Sequence, residues 1–415
     1  MDEREQKALV IAATSKIEKR GSETWIVPSQ SQGGKYAVTI TAEGKACTCP
    51  DFELRQLPCK HVMAVQYVLF REERTEEKPD GTITTTTTEA KAVRVTYSQD
   101  WPAYNAAQAT EKAHFLRLLR DLCDGVENPI QQNGRPRLPM GDQVFASAFK
   151  VYSGMSARRF SIDVRQAKAD GLISDAPAYN SILRYMESTD LTPILRELIV
   201  RSALPLRAVE TDFAIDSTGF TSTQLVGLWQ ATKYGAKRAR QEHDWLKVHA
   251  VCGTKTNVIT AIEVTERNTQ DAPFFRPLID DTAEHFNVER VQGDKAYSSF
   301  ANLEMVERLG AVAYIPFKSY AKASGKSATW DRLFHFYSLH REEFLAVYHR
   351  RSNVESTFSM VKRVFGDFVR SKTRVAQINE ILLKVLCHNI RCLIHEMHEL
   401  GVEPTLTQLS ERKVA

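Results

Sequence analysis

A chain of 415 residues, 43% apolar and 26% charged, has room for two or three domains and can bury an ordinary core. That balance excludes a wholly disordered chain, and no apolar run is long enough for a spanning helix or a secretory leader. Seven cysteines, an odd number and few for the length, argue against a disulfide framework and for an intracellular protein.

Residues 1–75 read as a small module. Segments 24–27 and 35–41 have the composition of short strands, and 60–71 that of an apolar helix. Between them Cys47, Cys49 and Cys59 gather beside His61. Cys123, Cys252, Cys387 and Cys392 are scattered and suit small buried apolar roles. Segment 76–100, with Pro79-Asp80-Gly81 and the run Thr84 to Thr88, reads as an exposed threonine-rich linker.

Residues 101–205 carry helical periodicity at 112–122, 141–151, 157–169 and 178–187. Short helices between glycine and proline turns fit a helix-turn-helix DNA reader, with Arg158, Arg159, Arg165 and Lys168 on its outer face, and equally fit a plain helical spacer.

From residue 206 the pattern alternates. Strands are expected at 208–216, 245–252, 257–264, 289–293 and 311–316, with a hairpin turn at Gly253-Thr254-Lys255-Thr256. Helices are expected at 273–286, 299–309, 344–365 and 378–400. A three-strand meander followed by helix, strand, helix, strand and helix resembles a ribonuclease-H-like α/β fold, here over residues 206–400.

The net charge of +4 does not by itself indicate nucleic acid, but its distribution is uneven. Residues 348–374 hold seven Lys or Arg against Glu355 and Asp367, an excess larger than that of the whole chain. A second basic run contains Lys233, Lys237, Arg238 and Arg240. Such patches attract phosphate backbones, although a single one is more often a solvated face.

Three acids stand out. Asp216 follows the apolar run Phe213-Ala214-Ile215 and precedes Ser217-Thr218-Gly219, which reads as a turn. Asp294 follows Val291-Gln292-Gly293 in the same way. Taken singly, each also fits a turn or cap carboxylate. On the helix expected at 344–365, Tyr348, Arg351, Glu355 and Lys362 fall within an arc of roughly 60° at 3.6 residues per turn. Val347, Val354, Phe358, Val361 and Phe365 form the neighbouring apolar stripe. One carboxylate among cations can hold a metal and phosphates, or can be an exposed Arg–Glu pair. Convergent carboxylates from separate elements are what two-metal phosphoryl transfer requires.

These residues fit Y-x2-R-x3-E-x6-K, and Asp216-Ser217-Thr218 and Asp294-Lys295-Ala296-Tyr297 fit the two companion turns. In this the chain resembles the DDE transposases of bacterial insertion sequences, over about residues 206–375. The resemblance implies a DNA transposase that cleaves element ends and joins them to target DNA, with Asp216, Asp294 and Glu355 holding Mg²⁺ or Mn²⁺. It implies that Tyr348, Arg351 and Lys362 contact the element end, and that the protein acts as a homodimer on DNA in the cytoplasm, at the nucleoid, with no membrane partner. About sixty residues separate Asp294 from Glu355, which leaves no room for the large β-rich insertion of some relatives. A domesticated DNA-binding descendant and a nuclease without strand transfer are the alternatives. Lys247 and His249, alternating with Trp245, either support Asp216, reach DNA or simply pack. Trp330 either stacks on a base or is partly buried.

Cys47-x-Cys49, nine residues, then Cys59-x-His61 offers a Cys₃His set for a closed structural zinc site in a ββα module. Zinc would supply stability that so small a module lacks. The spacing resembles the SWIM zinc finger, which implies DNA or protein binding without choosing between them.

Overall fold

The computed structural model describes residues 7–8, 11, 15, 17–20, 23–29, 34–41, 44–55, 57–77, 83–91, 100–130, 133, 137–222, 245–404 and 406. They group into two compact units, Met1–Gln99 and Asp100–Ala415. The basic run Lys233, Lys237, Arg238 and Arg240 lies outside the described residues. Among the described residues no helix is long and apolar enough to cross a membrane.

In the first unit β1 (Glu18–Lys19), β2 (Thr24–Pro28), β3 (Lys35–Ile40) and β4 (Lys45–Cys47) form an antiparallel meander. Alternation along β2 turns Trp25 and Val27 inward. With Val38, Val62 and Val65 they make a small core. Helices α1 (Pro50–Arg55) and α2 (Lys60–Val68) follow. The helix expected to reach 71 stops at Val68, and the chain enters β5 (Leu69–Glu77), which pairs antiparallel with β6 (Ile83–Lys91). The threonine run expected as linker is therefore a strand over 83–91. Low apolar content hid it, while the β-branched side chains favour the extended backbone.

The second unit begins with α3 (Trp101–Asp124), α4 (Met140–Ser153), α5 (Ala157–Ala169), α6 (Tyr179–Met186) and α7 (Leu191–Ala203). Its sheet has β7 (Asp212–Thr221), β8 (Trp245–Gly253) and β9 (Ile259–Glu266) as an antiparallel meander. After α8 (Phe275–Ala283), β10 (Arg290–Gly293) lies parallel to β7. After α9 (Phe300–Arg308), β11 (Val312–Tyr314) lies parallel to β10, giving the order β11-β10-β7-β8-β9. Helices α10 (Ala328–Leu339), α11 (Arg341–Tyr348), α12 (Ser352–Phe365) and α13 (Arg374–Glu399) complete it. The β8–β9 turn falls where glycine and threonines placed it. The Glu210 carboxylate accepts from the backbone N–H groups of Lys255 (2.9 Å) and Thr256.

The helices of 101–205 share one continuous apolar core with the sheet. Buried Asn389 of α13 joins them. It donates to Ile199 O of α7 at 3.2 Å and Ile259 O of β9 at 2.7 Å, and accepts from Ile259 N at 2.9 Å.

Two expectations are corrected around the acids. Strand β7 does not end at Asp216 but runs on to Thr221, paired throughout with β8. The glycine that reads as a turn is instead a close approach: a Cβ on Gly219 would stand 2.7 Å from Cε3 of Trp245. The helix expected over 344–365 is interrupted by a 3₁₀ turn, His349–Arg351, between α11 and α12. Arg350 is drawn to Asp212 (2.8 Å) and Arg351 to Asp216 (2.7 Å), and the Ser352 hydroxyl donates to His349 O (2.9 Å).

Candidate active site and metal centre

Residues opposite one another in a ladder share a face of the sheet. Asp216 is opposite Ala250 and Thr218 opposite Val248, while Ser217 is opposite His249. The even positions of β7 therefore face α12, and the odd ones face the chain leading into α8. On the other side of β7 the last pair with β10 is Ile215 with Gly293. Asp216 and Asp294 are the next residues of two adjacent parallel strands, which lie ~4.8 Å apart. Asp216 is mid-strand towards β8 but first beyond the ladder towards β10. That gives it the opening a strand end would give.

Helix α12 brings the third acid. Val354, Phe358 and Val361 are buried against the sheet, which leaves Glu355 exposed at its edge. Arg351 joins the two acids: Nη1 donates to Asp216 Oδ2 at 2.7 Å and Nη2 to Glu355 Oε1 at 2.6 Å. Its guanidinium lies 5.9 Å from the Tyr348 ring centre. Lys362, two turns along α12, donates to Thr218 Oγ1 at 2.7 Å. The four residues expected on one edge thus share it, despite the 3₁₀ turn between the first and third. An open cleft of about 510 Å³ is lined by Asp216, Thr218, Glu355, Phe358, Lys362 and Asp367 among others. Asp294 borders Asp216 through the sheet and does not line this cleft.

Burial pushes the Asp216 carboxyl above the usual aspartate range. The Ser217 amide and Arg351 oppose that, whereas Glu355 and Asp294 add to it as like charges. Burial likewise raises the Tyr348 phenol and lowers the Lys362 ammonium. Arg351 behaves the other way. Burial alone would lower it, and Tyr348, Asp216, Glu355 and Asp294 together raise it.

Beneath β7 lies an acid that the sequence reading missed. Asp271, ahead of α8, sits 2.8 Å from Lys247 Nζ and 3.1 Å from His249 Nδ1. The Ser217 side chain faces it as well. Burial would raise this carboxyl, but Lys247, Ser217 and His249 hold it below the ordinary range. His249 is fully buried, stacked on Phe274 at 4.4 Å and bonded to Thr265 Oγ1 at 3.0 Å. His249 is therefore a packing residue opposite Ser217, and Lys247, opposite Gly219, is paired with Asp271. In sequence Asp271 looks like any acid before a proline-started helix. Trp330 is buried, with Nε1 donating to Lys322 O at 2.9 Å.

In the first unit Cys47, Cys49, Cys59 and His61 are all buried, and their ligand atoms lie within 4.8 Å of one another. His61 Nδ1 is 3.9 Å from Cys47 Sγ and 3.8 Å from Cys59 Sγ. A hydrogen bond from Cys47 pushes the Cys59 thiol down, below the usual cysteine range. Three sulfurs and a nitrogen closed at this spacing, with no fifth position offered, fit a tetrahedral zinc ion.

Residues 207–390 match the family described as the transposase DDE domain, and residues 36–69 match the SWIM zinc finger. The chain carries a transposase DDE domain preceded by a SWIM zinc finger. The three acids and Tyr348, Arg351 and Lys362 fall inside the first match, and the four zinc-type ligands inside the second. Among solved structures, the chain is similar to a cryo-EM structure of the piggyBac transposase synaptic complex with hairpin DNA. The two are 9% identical, with 73% of this chain and 80% of that chain covered and a TM-score of 0.33.

Proposed function

We propose that this transposase cuts DNA at the ends of its element and joins the freed ends to target DNA, with Asp216, Asp294 and Glu355 as its metal-holding triad. One observation carries the reading. Two carboxylates from different elements converge on a single guanidinium, and a third stands on the adjoining strand at the same level. The strand order β11-β10-β7-β8-β9, three antiparallel and two parallel, supports a ribonuclease-H-like catalytic domain over 206–400.

The donor set suits hard divalent cations, Mg²⁺ or Mn²⁺, in being all oxygen, although the three carboxylates do not close on one another to within 4.8 Å as the Cys₃His set does; burial, with the like charges of Glu355 and Asp294 added, raises the Asp216 carboxyl. Arg351 occupies the position between Asp216 and Glu355 where positive charge is needed. A bound metal pair would supply activation of the attacking oxygen and neutralisation of the leaving one. The protein's own residues position DNA around that chemistry. Lys362 and Arg351 neutralise phosphates along the α12 edge, and the Tyr348 ring backs the guanidinium. In the first unit, Cys47, Cys49, Cys59 and His61 would hold zinc, which would tie β4 to the start of α2. A homodimer holding two ends, at the nucleoid, completes the reading.

The test uses labelled pre-cut oligonucleotides that carry the DNA flanking the coding region, target plasmid and Mn²⁺. Joined product supports the transposase. Cleavage without joining assigns a nuclease, and binding without either assigns a domesticated DNA-binding protein.

A further inference from the structure

The connection from β11 to α10 carries Lys318, Tyr320, Lys322 and Lys326 in nine residues, with no acid among them. Tyr320 is 75% exposed, and Lys322 and Lys326 are exposed. None of these side chains has an ion-pair or ring partner among the described residues. An exposed tyrosine among unpaired lysines contributes nothing to the core.

The segment is nevertheless built. Phe317 at its start is buried against Trp330, 4.8 Å between rings, and Trp330 Nε1 holds Lys322 O at 2.9 Å. Asp331 accepts from Ser324 N and Gly325 N, both at 2.8 Å, and Gly325 turns the chain at φ 68°. The only nearby acid on α10 is thus spent on backbone, which leaves the lysine charge uncompensated.

Its place in the fold is set by the sheet. Strands β10 and β11 are parallel and leave by the same edge. A Cβ on Gly293 would lie 3.3 Å from Ile215 and 3.5 Å from Ile315, so these three form one row across β7, β10 and β11. Asp216, Asp294 and Pro316 make the next row, with strands ~4.8 Å apart. Lys318 follows Pro316 by two residues, just beyond the end of β11. Trp330 also packs on Phe300, 4.4 Å away, six residues after Asp294. The acids therefore lie between the α12 edge, with Arg351 and Lys362, and this lysine loop.

We infer that residues 318–326 form a second DNA-backbone contact, gripping the strand on the side of the acids opposite α12 without reading sequence, with Tyr320 stacking on an unpaired base next to the cut. Lysines offer point charges to phosphates, and an aromatic face accepts any base. This rests on the proposed DNA-cutting reading.

The test is fluorescence anisotropy with a blunt 30-bp duplex of arbitrary sequence, and with the same duplex bearing a 3′ single-stranded tail, across a salt series. The triple variant Lys318→Ser, Lys322→Ser, Lys326→Ser is expected to bind both DNAs at least about tenfold more weakly at low salt. Its log–log salt slope should be shallower by about two to three. The triple Lys→Arg variant should retain the slope. Tyr320→Ala should weaken the tailed duplex about tenfold and leave the blunt one unchanged. Unchanged affinity and slope in the serine variant, while Arg351→Ala and Lys362→Ala lose affinity, overturns the loop assignment and leaves the proposed function standing. Absence of any duplex binding by the unsubstituted protein overturns both.

Discussion

Arg351 holds Asp216 at 2.7 Å while its other terminal nitrogen holds Glu355 at 2.6 Å, so one side chain sets the separation of two acids drawn from β7 and α12. Its side chain is 20% exposed, as Asp216 is 22%, so the Asp216 contact is partly shielded from solvent. Arg351→Ala leaves Asp216 without its cation and is expected to cost about 1–3 kcal/mol of stability, read as a lower midpoint in urea. Most of that loss should vanish when the change is made in an Asp216→Asn background, and additive losses would show that the pair is not coupled.

The raised Asp216 carboxyl gives a prediction with a definite sign. An acid that holds its proton more tightly folded than unfolded costs stability once ionised. The cost is absent below the ordinary aspartate range, about pH 4, and grows as pH rises through the raised folded value. Asp216→Asn should therefore melt at the same temperature as the unsubstituted protein or higher near pH 7 without metal, with the gap closing towards pH 4. Mn²⁺ should raise the melting temperature of the unsubstituted protein and not that of the variant. A lower metal-free melting temperature for Asp216→Asn at pH 7 contradicts this account.

Metal analysis of protein purified without chelator should find about one zinc per chain, lost in Cys59→Ala. A metal held by these four buried ligands would be part of that unit's core. Proteolysis should then attack the first unit while the melting of the second stays unchanged. Full zinc retention in Cys59→Ala rules the ligand set out.

Gly219→Ala probes the strand that reads as a turn. The new methyl meets the Trp245 ring, so the substitution should destabilise by about 1–3 kcal/mol through displaced packing. A neutral result would mean that Trp245 moves aside freely.

The acids and the α12 edge are legible in sequence because their chemistry is local. Arg351 and Glu355 are four residues apart, whereas the sheet face that Thr218 shares with Asp216 is hidden, because Ser217-Thr218-Gly219 reads as a turn. The interruption at His349–Arg351 is not legible, because Asp212 and Asp216 that draw the arginines away lie more than 130 positions earlier. Asp271 escapes for a related reason: Lys247, His249 and Ser217 meet it only after the meander has formed. Strand β6 escapes because a run of threonines has the polarity of a loop and the backbone preference of a strand.

The most direct measurement is nicking of supercoiled plasmid by the purified protein in Mn²⁺, beside Asp216→Ala, Asp294→Ala and Glu355→Ala, each checked for an unchanged circular dichroism spectrum. The account predicts nicked and linear product from the unsubstituted protein and at least about a hundredfold less from each variant, since losing any one oxygen ligand disables the metal pair. Nicking at the unsubstituted rate by any one of the three folded variants would contradict it.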